Sequence, residues 1–281
     1  MSVPVALLLG ALQGLTEFLP VSSTAHLYIA QALLGIRNDE IALSFDVVLH
    51  LGTAAALILA FATELTALAG EAILLTAGRP ARDPAARALV LPLVLGTIPG
   101  VLAGLFLLKR AESVRTLGLI GLSMLAACAY FLISEARGGR KDERELPRLT
   151  AGDAVWIGVA QAAAGLMAGF SRSGFTISTG RLRGLARGEA ARFSFLLALP
   201  IILGAGAKAL LDLRKAPQPA VTGAALAAGF LASALVGFVV VRFLLRFLRT
   251  HTLLPFAIYL GALGTVLIAV TVVRHLPILT P

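Results

Sequence analysis

The sequence predicts an all-α integral membrane protein, and three observations predict it. Of the 281 residues, 58% are hydrophobic and 14% are charged, and the mean hydropathy is +0.91. This composition leaves too little polar surface to cover a soluble domain of this size. Apolar runs such as the one that starts at Ala88 reach the roughly 20 residues that a helix needs to cross a bilayer core. Strands of a membrane barrel would instead alternate apolar and polar residues.

Ten helical segments follow from the apolar runs and the breaks between them. They are 3–19, 22–35, 41–63, 86–108, 115–135, 152–168, 171–185, 189–212, 220–248 and 252–274. A charged linker, 136–150, separates five segments in a first repeat, 1–135, from five in a second repeat, 151–281, within one membrane domain. The first two segments of each half are short and interrupted by Gly and polar residues. Each half is therefore predicted to form a re-entrant helix pair and three membrane spans.

The two halves also align with each other. Displacing the chain against itself places Gln13 on Gln161, Ser23 on Ser171 and Phe45 on Phe193. The identities are few for a chain rich in Ala and Leu, but the order of short and long segments is the same in both halves. Because three spans is an odd number, the second half would be an upside-down copy of the first. Inverted repeats of this kind hold their sites where two broken helix pairs meet.

The first broken pair carries the stretch "GLTEFLPVSSTAHL" from Gly14. Pro20 ends one half-helix, and a serine hydroxyl can cap the next. Polar side chains of this kind are costly inside a membrane and mark functional sites. The polar residues of the stretch are Glu17, Ser22, Ser23, Thr24 and His26.

The second broken pair carries "AGFSRSGFTIS" from Ala168. We expect Ser171 to cap its second half-helix. The residues in and around the first turns are Ser171, Arg172, Ser173, Gly174 and Thr176. Two helix N-termini would then face each other and, with the Arg172 guanidinium, form an anion site suited to phosphate. Glu17 would pair with Arg172, bind a metal ion or handle protons.

A hydroxyl, a carboxylate, an imidazole and a guanidinium are the groups that a phosphoryl-transfer site needs. Ser23 would act as nucleophile or position a water, His26 or Glu17 would act as base, and Arg172 would stabilise the transferred charge. Simpler structural roles are open as well. Hydroxyls such as those of Thr176 and Ser178 often bond to the carbonyl four residues earlier. A buried His26 can be structural, and so can an ion pair of Glu17 with Arg172.

Asp46 and His50 form a second candidate group. They are four residues apart on one helix face, where they can hydrogen-bond to each other and support the site. A purely structural role explains the spacing equally well.

At these residues the sequence resembles the bacterial undecaprenyl-pyrophosphate phosphatases of the BacA/UppP family. The resemblance rests on "GLTEFLPVSSTAHL", on "GFSRSGFTIS" with "FSFLLALP" from Phe193, and on the order of helices. It implies hydrolysis of a C55 polyprenyl diphosphate to the monophosphate, an inverted-repeat fold, and a site open to the extracytoplasmic side. It also implies a divalent cation, Mg²⁺ or Ca²⁺, with Glu17 as a ligand. The residues to which it assigns roles are Glu17, Ser23, His26, Ser171, Arg172, Ser173 and Thr176.

The sequence departs from the family pattern at two positions. Gln13 stands where a second carboxylate is common, and Ala168 stands where Pro is usual. Loss of that carboxylate weakens any scheme in which two glutamates bind the metal. We therefore interpret Gln13 as an amide that orients the ligand, within the phosphate-binding group.

Partners and location follow from charge and composition. The net charge of +9 lies mostly in loops, which favours cytoplasmic loops near anionic lipid over a nucleic-acid site. The expected partners are a polyprenyl diphosphate, membrane lipids and a second copy in a homodimer, without nucleic acid. The positive linker would face the cytoplasm of a bacterial inner membrane, and both termini would face the exterior.

The alternative function is a polyprenyl-phosphate flippase, which needs the charged site but no nucleophile.

Overall fold

The computed structural model of the protein describes residues 1–36, 40–107, 116–138, 143–213 and 221–275. In these ranges the chain forms eleven α-helices and a short 3₁₀ helix, Leu146–Arg148. The middle of the predicted linker, 139–142, and the predicted helix ends at 108, 115 and 220 lie outside the described residues. The helices are α1 (Val3–Phe18), α2 (Ser23–Leu33), α3 (Glu40–Ala60), α4 (Ala62–Thr76), α5 (Pro84–Phe106), α6 (Leu117–Arg137), α7 (Ala151–Leu166), α8 (Arg172–Leu182), α9 (Arg187–Leu213), α10 (Gly223–Phe247) and α11 (Leu254–His275).

Six helices of the described chain are long and apolar enough to cross a membrane. They are α3, α5, α6, α9, α10 and α11, and they coincide with the six segments predicted as spans. The predicted all-α integral membrane fold is therefore confirmed. The remaining helices, α1, α2, α4, α7 and α8, have 16 residues or fewer.

The helix α4 was not predicted from the sequence. The third predicted segment continues to 63 and a loop follows, whereas α3 ends at Ala60 and the chain turns at Phe61 before α4 begins. Glu71 in α4 lies almost fully buried and accepts hydrogen bonds from the amides of Arg82 and Asp83, both at 2.8 Å. The Arg87 guanidinium also bonds to it at 2.7 Å. These partners come from the next loop and helix, so the sequence of α4 alone gives no sign of them.

The turn within each broken helix pair determines where its first helix ends. α1 ends at Phe18, and Leu19 adopts extended backbone before Pro20, as a residue preceding proline prefers. Between α7 and α8, Gly169 has φ +105°. A Cβ there would also lie 2.5 Å from the Ile120 carbonyl oxygen. Only glycine meets both conditions, so this residue permits the second break.

Small residues bring the short helices close to the long ones. α1 packs along α10, and α7 packs along α5. A Cβ on Gly10 would lie 2.4 Å from the Gly229 carbonyl oxygen, and one on Gly158 would lie 2.1 Å from that of Gly96. The two pairs of helices therefore meet backbone to backbone, as in small-residue contacts between membrane helices.

Gly158→Ala should destabilise the fold because its methyl group would overlap the Gly96 carbonyl. Overpacking of this kind costs about 1–3 kcal/mol of the free energy of unfolding. Thermal unfolding in detergent should show a lower Tm than for the wild type. Gly70→Ala is the control, since a Cβ at that position in α4 meets nothing within 4 Å. An unchanged Tm for Gly158→Ala would contradict the close packing of α5 and α7.

Candidate active site

The carboxylate of Glu17, near the end of α1, joins three helices. Its Oε2 atom accepts a hydrogen bond from the Ser23 hydroxyl, the first residue of α2, at 2.6 Å. The same oxygen accepts from the Gln13 side-chain amide at 2.9 Å. Its Oε1 atom forms an ion pair with the guanidinium of Arg172, the first residue of α8. Glu17 is 6% exposed, so these partners supply the hydrogen bonds and the counter-charge that burial of a carboxylate requires.

His50 on α3 completes the surroundings of this carboxylate. Its Nε2 atom lies 3.5 Å from Glu17 Oε2, and its Nδ1 atom lies 2.7 Å from the Asp46 carbonyl oxygen. Because a carbonyl only accepts, Nδ1 carries a hydrogen and Nε2 faces Glu17. The predicted contact of Asp46 with His50 is therefore made by the main chain of Asp46. The Asp46 carboxylate accepts from the Gln31 amide at 2.7 Å instead.

The two helix N-termini differ. Ser171 caps α8 by accepting a hydrogen bond from the Gly174 amide at 3.2 Å, as predicted. Ser22 occupies the cap position of α2, but its side chain makes no cap bond, so the expected hydroxyl cap is wrong there. The reason is backbone geometry, since Ser22 has φ 72°, the one positive φ among the non-glycine residues described. Its buried hydroxyl has no hydrogen-bond partner among the residues that the structure describes.

A cavity of about 290 Å³ lies where the two broken pairs meet. Its lining includes both polar and apolar side chains, named here the polar wall and the apolar wall, and such a lining suits a ligand with a charged head and a hydrocarbon tail. The polar wall includes Glu17, Ser22, Ser23, Thr24, Asp46, His50, Ser171 and Arg172. The apolar wall includes Leu27, Leu43, Val47, Met167, Phe170, Ile201 and Ile202.

His26 lies apart from this group. Its Nδ1 atom is 2.8 Å from the Ser22 carbonyl oxygen, and its Nε2 atom is 2.6 Å from the Tyr259 hydroxyl on α11. The two rings also stack, with centroids 5.7 Å apart. His26 does not line the cavity. No sequence spacing links His26 to Tyr259, because the two residues come from opposite ends of the chain.

Three predicted residues of the second motif support α8 from behind the cavity. The Ser173 hydroxyl donates to the Leu19 carbonyl at 3.2 Å. The Thr176 hydroxyl lies 2.9 Å from the Arg172 carbonyl oxygen, which is the structural alternative left open for it. A Cβ on Gly174 would overlap the Phe131 ring, so that glycine serves packing. Ser178, for which a carbonyl bond was also considered, is buried without a hydrogen-bond partner in the described part of the chain.

The residues around Glu17 do not fit a resident metal ion. In the part of the chain that the structure describes, no group of three or more His, Cys, Asp or Glu side chains is arranged to hold one. A carboxylate offers about four lone-pair positions. Ser23, Gln13 and Arg172 take three of those of Glu17.

Fold and site together define a multi-pass membrane protein with a polar cavity where two broken helix pairs meet. The chain belongs to the BacA family, whose sequence model, described as bacitracin resistance protein BacA, matches residues 6–266. Similar relatives are named undecaprenyl-diphosphatase. The one from Rubrobacter xylanophilus is 43% identical over 94% of this chain and 96% of its own. The one from Nitrosococcus oceani is 41% identical over 93% and 96%, and that of Anaeromyxobacter sp. strain K is 41% identical over 99% and 94%.

Glu17→Gln should destabilise the protein because it removes the counter-charge of the largely buried Arg172. Breaking a buried pair costs about 3–5 kcal/mol. Adding Arg172→Met removes the orphaned charge and should restore at least about 1 kcal/mol, a coupling that thermal unfolding can measure. Glu64→Gln is the control, because its ion pair with Arg192 is much more exposed than that of Glu17 and contributes about 1 kcal/mol or less. Strictly additive effects of the two site variants would contradict the pairing.

Proposed function

We propose that the protein is a phosphatase that hydrolyses undecaprenyl diphosphate to undecaprenyl phosphate and inorganic phosphate. This reaction returns the carrier lipid to cell-wall peptidoglycan synthesis. The observation that carries the proposal is the 2.6 Å hydrogen bond from the Ser23 hydroxyl to the Glu17 carboxylate, beside Arg172 in one cavity. A hydroxyl that donates to a carboxylate base is the arrangement of an activated nucleophile. The names of the relatives and the family agree with it.

Ser23 and Glu17 carry the bond-breaking step. The Ser23 oxygen attacks the terminal phosphorus, its proton passes to Glu17, and the bond to the bridging oxygen breaks, so that the lipid monophosphate leaves. Glu17 passes the serine proton to the departing lipid monophosphate and is a carboxylate again, so that water can attack the phosphoserine and give its proton to Glu17. The bond from phosphorus to the Ser23 oxygen breaks, and the proton returns to that oxygen as phosphate departs. The alternative is direct attack by a water that Glu17 deprotonates and Ser23 positions.

Arg172 supplies the positive charge. Its planar guanidinium can hold two phosphate oxygens while it pairs with Glu17 through one nitrogen. The N-termini of α2 and α8 add amide donors and partial positive charge on the same side of the cavity. The Ser22 hydroxyl, which lacks a protein partner, is a further donor for the diphosphate. These fixed groups stabilise the charge that moves to the bridging oxygen.

His26 and His50 take different roles in this proposal. The nitrogens of His26 are occupied by Ser22 and Tyr259, so this ring holds the start of α2 against α11. His50 lies at the cavity wall with Nε2 3.5 Å from Glu17 Oε2, where its ring limits the positions that the carboxylate can take. Gln13 supports the same carboxylate from within α1. The catalytic role expected for His26 from its place after Ser23 and from the resemblance stays a prediction.

The apolar wall of the cavity gives the site its lipid preference. Residues of α3 and α9, among them Val47 and Ile201, provide a surface for the first isoprene units of the substrate. The diphosphate would then meet Arg172 while the tail stays in apolar surroundings. A soluble diphosphate lacks that contact and should be a poor substrate.

We propose further that the two halves, 1–135 and 151–281, form an inverted-topology repeat with α4 added to the first. Reciprocal packing supports this proposal, because α1 meets α10 through Gly10 and Gly229 while α7 meets α5 through Gly158 and Gly96. An inverted pair of re-entrant segments places the two N-termini in one cavity. The membrane is the bacterial inner membrane, with the site on the extracytoplasmic side. A homodimer stays a prediction.

A flippase shares the fold but explains less of the site. Translocation of a lipid phosphate needs a charged pocket but no hydroxyl bonded to a carboxylate base. Release of inorganic phosphate from undecaprenyl diphosphate by the purified protein separates the two functions. A protein that translocates the lipid without releasing phosphate would contradict the phosphatase.

Ser23→Ala should reduce phosphate release to well below about a tenth of the wild-type rate, since an enzyme without its nucleophile loses most of its catalysis. The measurement is initial phosphate release from undecaprenyl diphosphate in detergent. Ser178→Ala, which removes a buried hydroxyl with no protein partner and away from the cavity, is the matched control. Retention of more than about a tenth of the activity by Ser23→Ala would instead support attack by water.

The proposed topology places the C-terminus outside the cytoplasm, because the basic linker holds its side of the protein inside. A periplasmic reporter such as alkaline phosphatase, fused after the last residue, should therefore be active. The same reporter inserted in the linker should be inactive. Activity only from the linker fusion would contradict the orientation.

A further inference from the structure

The cavity at the site is too small for the whole lipid substrate. Its volume is about 290 Å³, at the lower end of the range for pockets that hold drug-sized ligands. In the proposed function the diphosphate lies next to Arg172, so only the first isoprene units fit beside it. A C55 tail continues far beyond those units. The rest of the tail must therefore leave the cavity between two helices.

Two of the helix contacts around the cavity are closed. Gly206 of α9 lines the cavity, and a Cβ on it would lie 2.3 Å from the Cδ2 atom of Leu51 on α3. α5 and α7 are equally close at Gly96 and Gly158. Neither contact leaves room for a hydrocarbon chain.

α5 and α7 separate beyond their close contact. A Cβ on Gly100 of α5 would lie 3.2 Å from the side-chain nitrogen of Gln161 on α7, so the helices still touch at this level. One turn further along each helix, a Cβ on Gly104 or on Gly165 would meet nothing within 4 Å among the described residues. Gly165 also lines the cavity. The cavity therefore has an opening between the two helices at the level of Gly104 and Gly165.

A groove of about 430 Å³ lies between α5 and α9, next to this opening. Its lining includes Val101, which is three residues before Gly104 and is therefore its neighbour on the surface of α5. The lining also includes Pro200 of α9, and the next residue, Ile201, lines the cavity. The groove therefore continues from the cavity along both helices.

The groove suits a hydrocarbon chain. The Thr97 hydroxyl in its lining donates to the Leu93 carbonyl at 2.7 Å, so this side chain presents its methyl group. Ile98 and Leu102 also line the groove, and both are exposed on the surface of α5. An extended apolar chain that lies here covers these side chains and gains the free energy of their burial.

We propose that the groove between α5 and α9 holds the distal isoprene units of the substrate, which reach it from the cavity through the opening at Gly104 and Gly165. The inference rests on the proposed function, because the tail belongs to the substrate of that reaction. The tail is tethered by its diphosphate in the cavity, which favours it over free membrane lipids in this groove. The cavity then selects the diphosphate by charge, and the groove selects a long tail by apolar contact.

Two variants of the purified full-length protein in detergent test this route. Gly104→Leu fills the opening, and Val101→Trp fills the groove. Each should raise KM for undecaprenyl diphosphate about tenfold, which is the effect of losing the burial of one or two apolar groups. KM for farnesyl diphosphate, whose short tail ends within the cavity, should not change. The measurement is phosphate release at a series of concentrations of each substrate.

Gly70→Leu and Leu235→Trp are the matched controls. A Cβ on Gly70 of α4 meets nothing within 4 Å among the described residues, and Leu235 is exposed on α10, away from the groove. Neither control should change KM for either substrate. Equal changes of KM for both substrates in the two test variants would overturn the inference. Unchanged values for both substrates would also overturn it, because the groove would then hold only membrane lipid. If one test variant does not fold, the other decides.

Thermal stabilisation by the ligand separates this inference from the proposed function, because a bound ligand raises Tm whether or not it is hydrolysed. Phosphate release without a difference between the two tails would overturn the groove and leave the phosphatase standing. A wild type that undecaprenyl diphosphate stabilises without phosphate release would contradict the phosphatase. The groove would then be supported if Val101→Trp reduces the rise in Tm with undecaprenyl diphosphate but not with farnesyl diphosphate. It would be overturned if that variant reduces both or neither.

Discussion

The ion pair between Glu17 and Arg172 is the interaction on which the site depends. It joins the end of α1 to the start of α8, which come from the two halves of the chain. Neither charge is tolerated in an apolar interior without a partner, so each holds the other in place. The remaining bonds of Glu17, from Ser23 and Gln13, fix the carboxylate against the start of α2. One side chain therefore determines where the hydroxyl, the guanidinium and both helix ends lie.

The broken helices make this arrangement possible. If each pair were one continuous helix, its backbone amides would all bond within that helix. Ser23 and Arg172 would then lie within helices and not at two exposed N-termini. The breaks at Pro20 and Gly169 instead expose two N-termini to one cavity. The short helices are held by backbone contacts at Gly10 and Gly158, which leave little freedom for α1 and α7 to move. Rigid placement of this kind is what preorganised electrostatic catalysis requires.

Much of this fold can be predicted from the sequence, because its physical causes are local. Hydropathy identifies the six spans, Pro20 identifies the first break, and the cap residue Ser171 identifies the second. The cost of an unpaired charge predicts that Glu17 and Arg172 need partners. The helix α4 could not be predicted in this way, since the partners of Glu71 come from a loop that follows it.

The candidate site was harder to predict in its details. The spacing of His26 after Ser23 places it on α2, but the rotation of α2 turns its ring to Tyr259. The spacing of His50 from Asp46 explains its presence within α3 and indicates only a supporting role. Its contact with Glu17 depends on how α3 packs against α1. The left-handed backbone of Ser22 is likewise imposed by the turn and has no signature in residue type, since serine is not a residue that favours positive φ.

The central claim is that the Arg172 guanidinium acts on the diphosphate as well as pairing with Glu17. Arg172→Lys keeps the positive charge but loses the planar fork that can hold two oxygens. The most direct measurement is the rate of phosphate release from undecaprenyl diphosphate by this variant at saturating substrate. We expect kcat to fall about a hundredfold, because the loss of one hydrogen-bond donor to the transition state has an effect of about this size. A kcat near that of the wild type would mean that Arg172 serves only as a counter-ion.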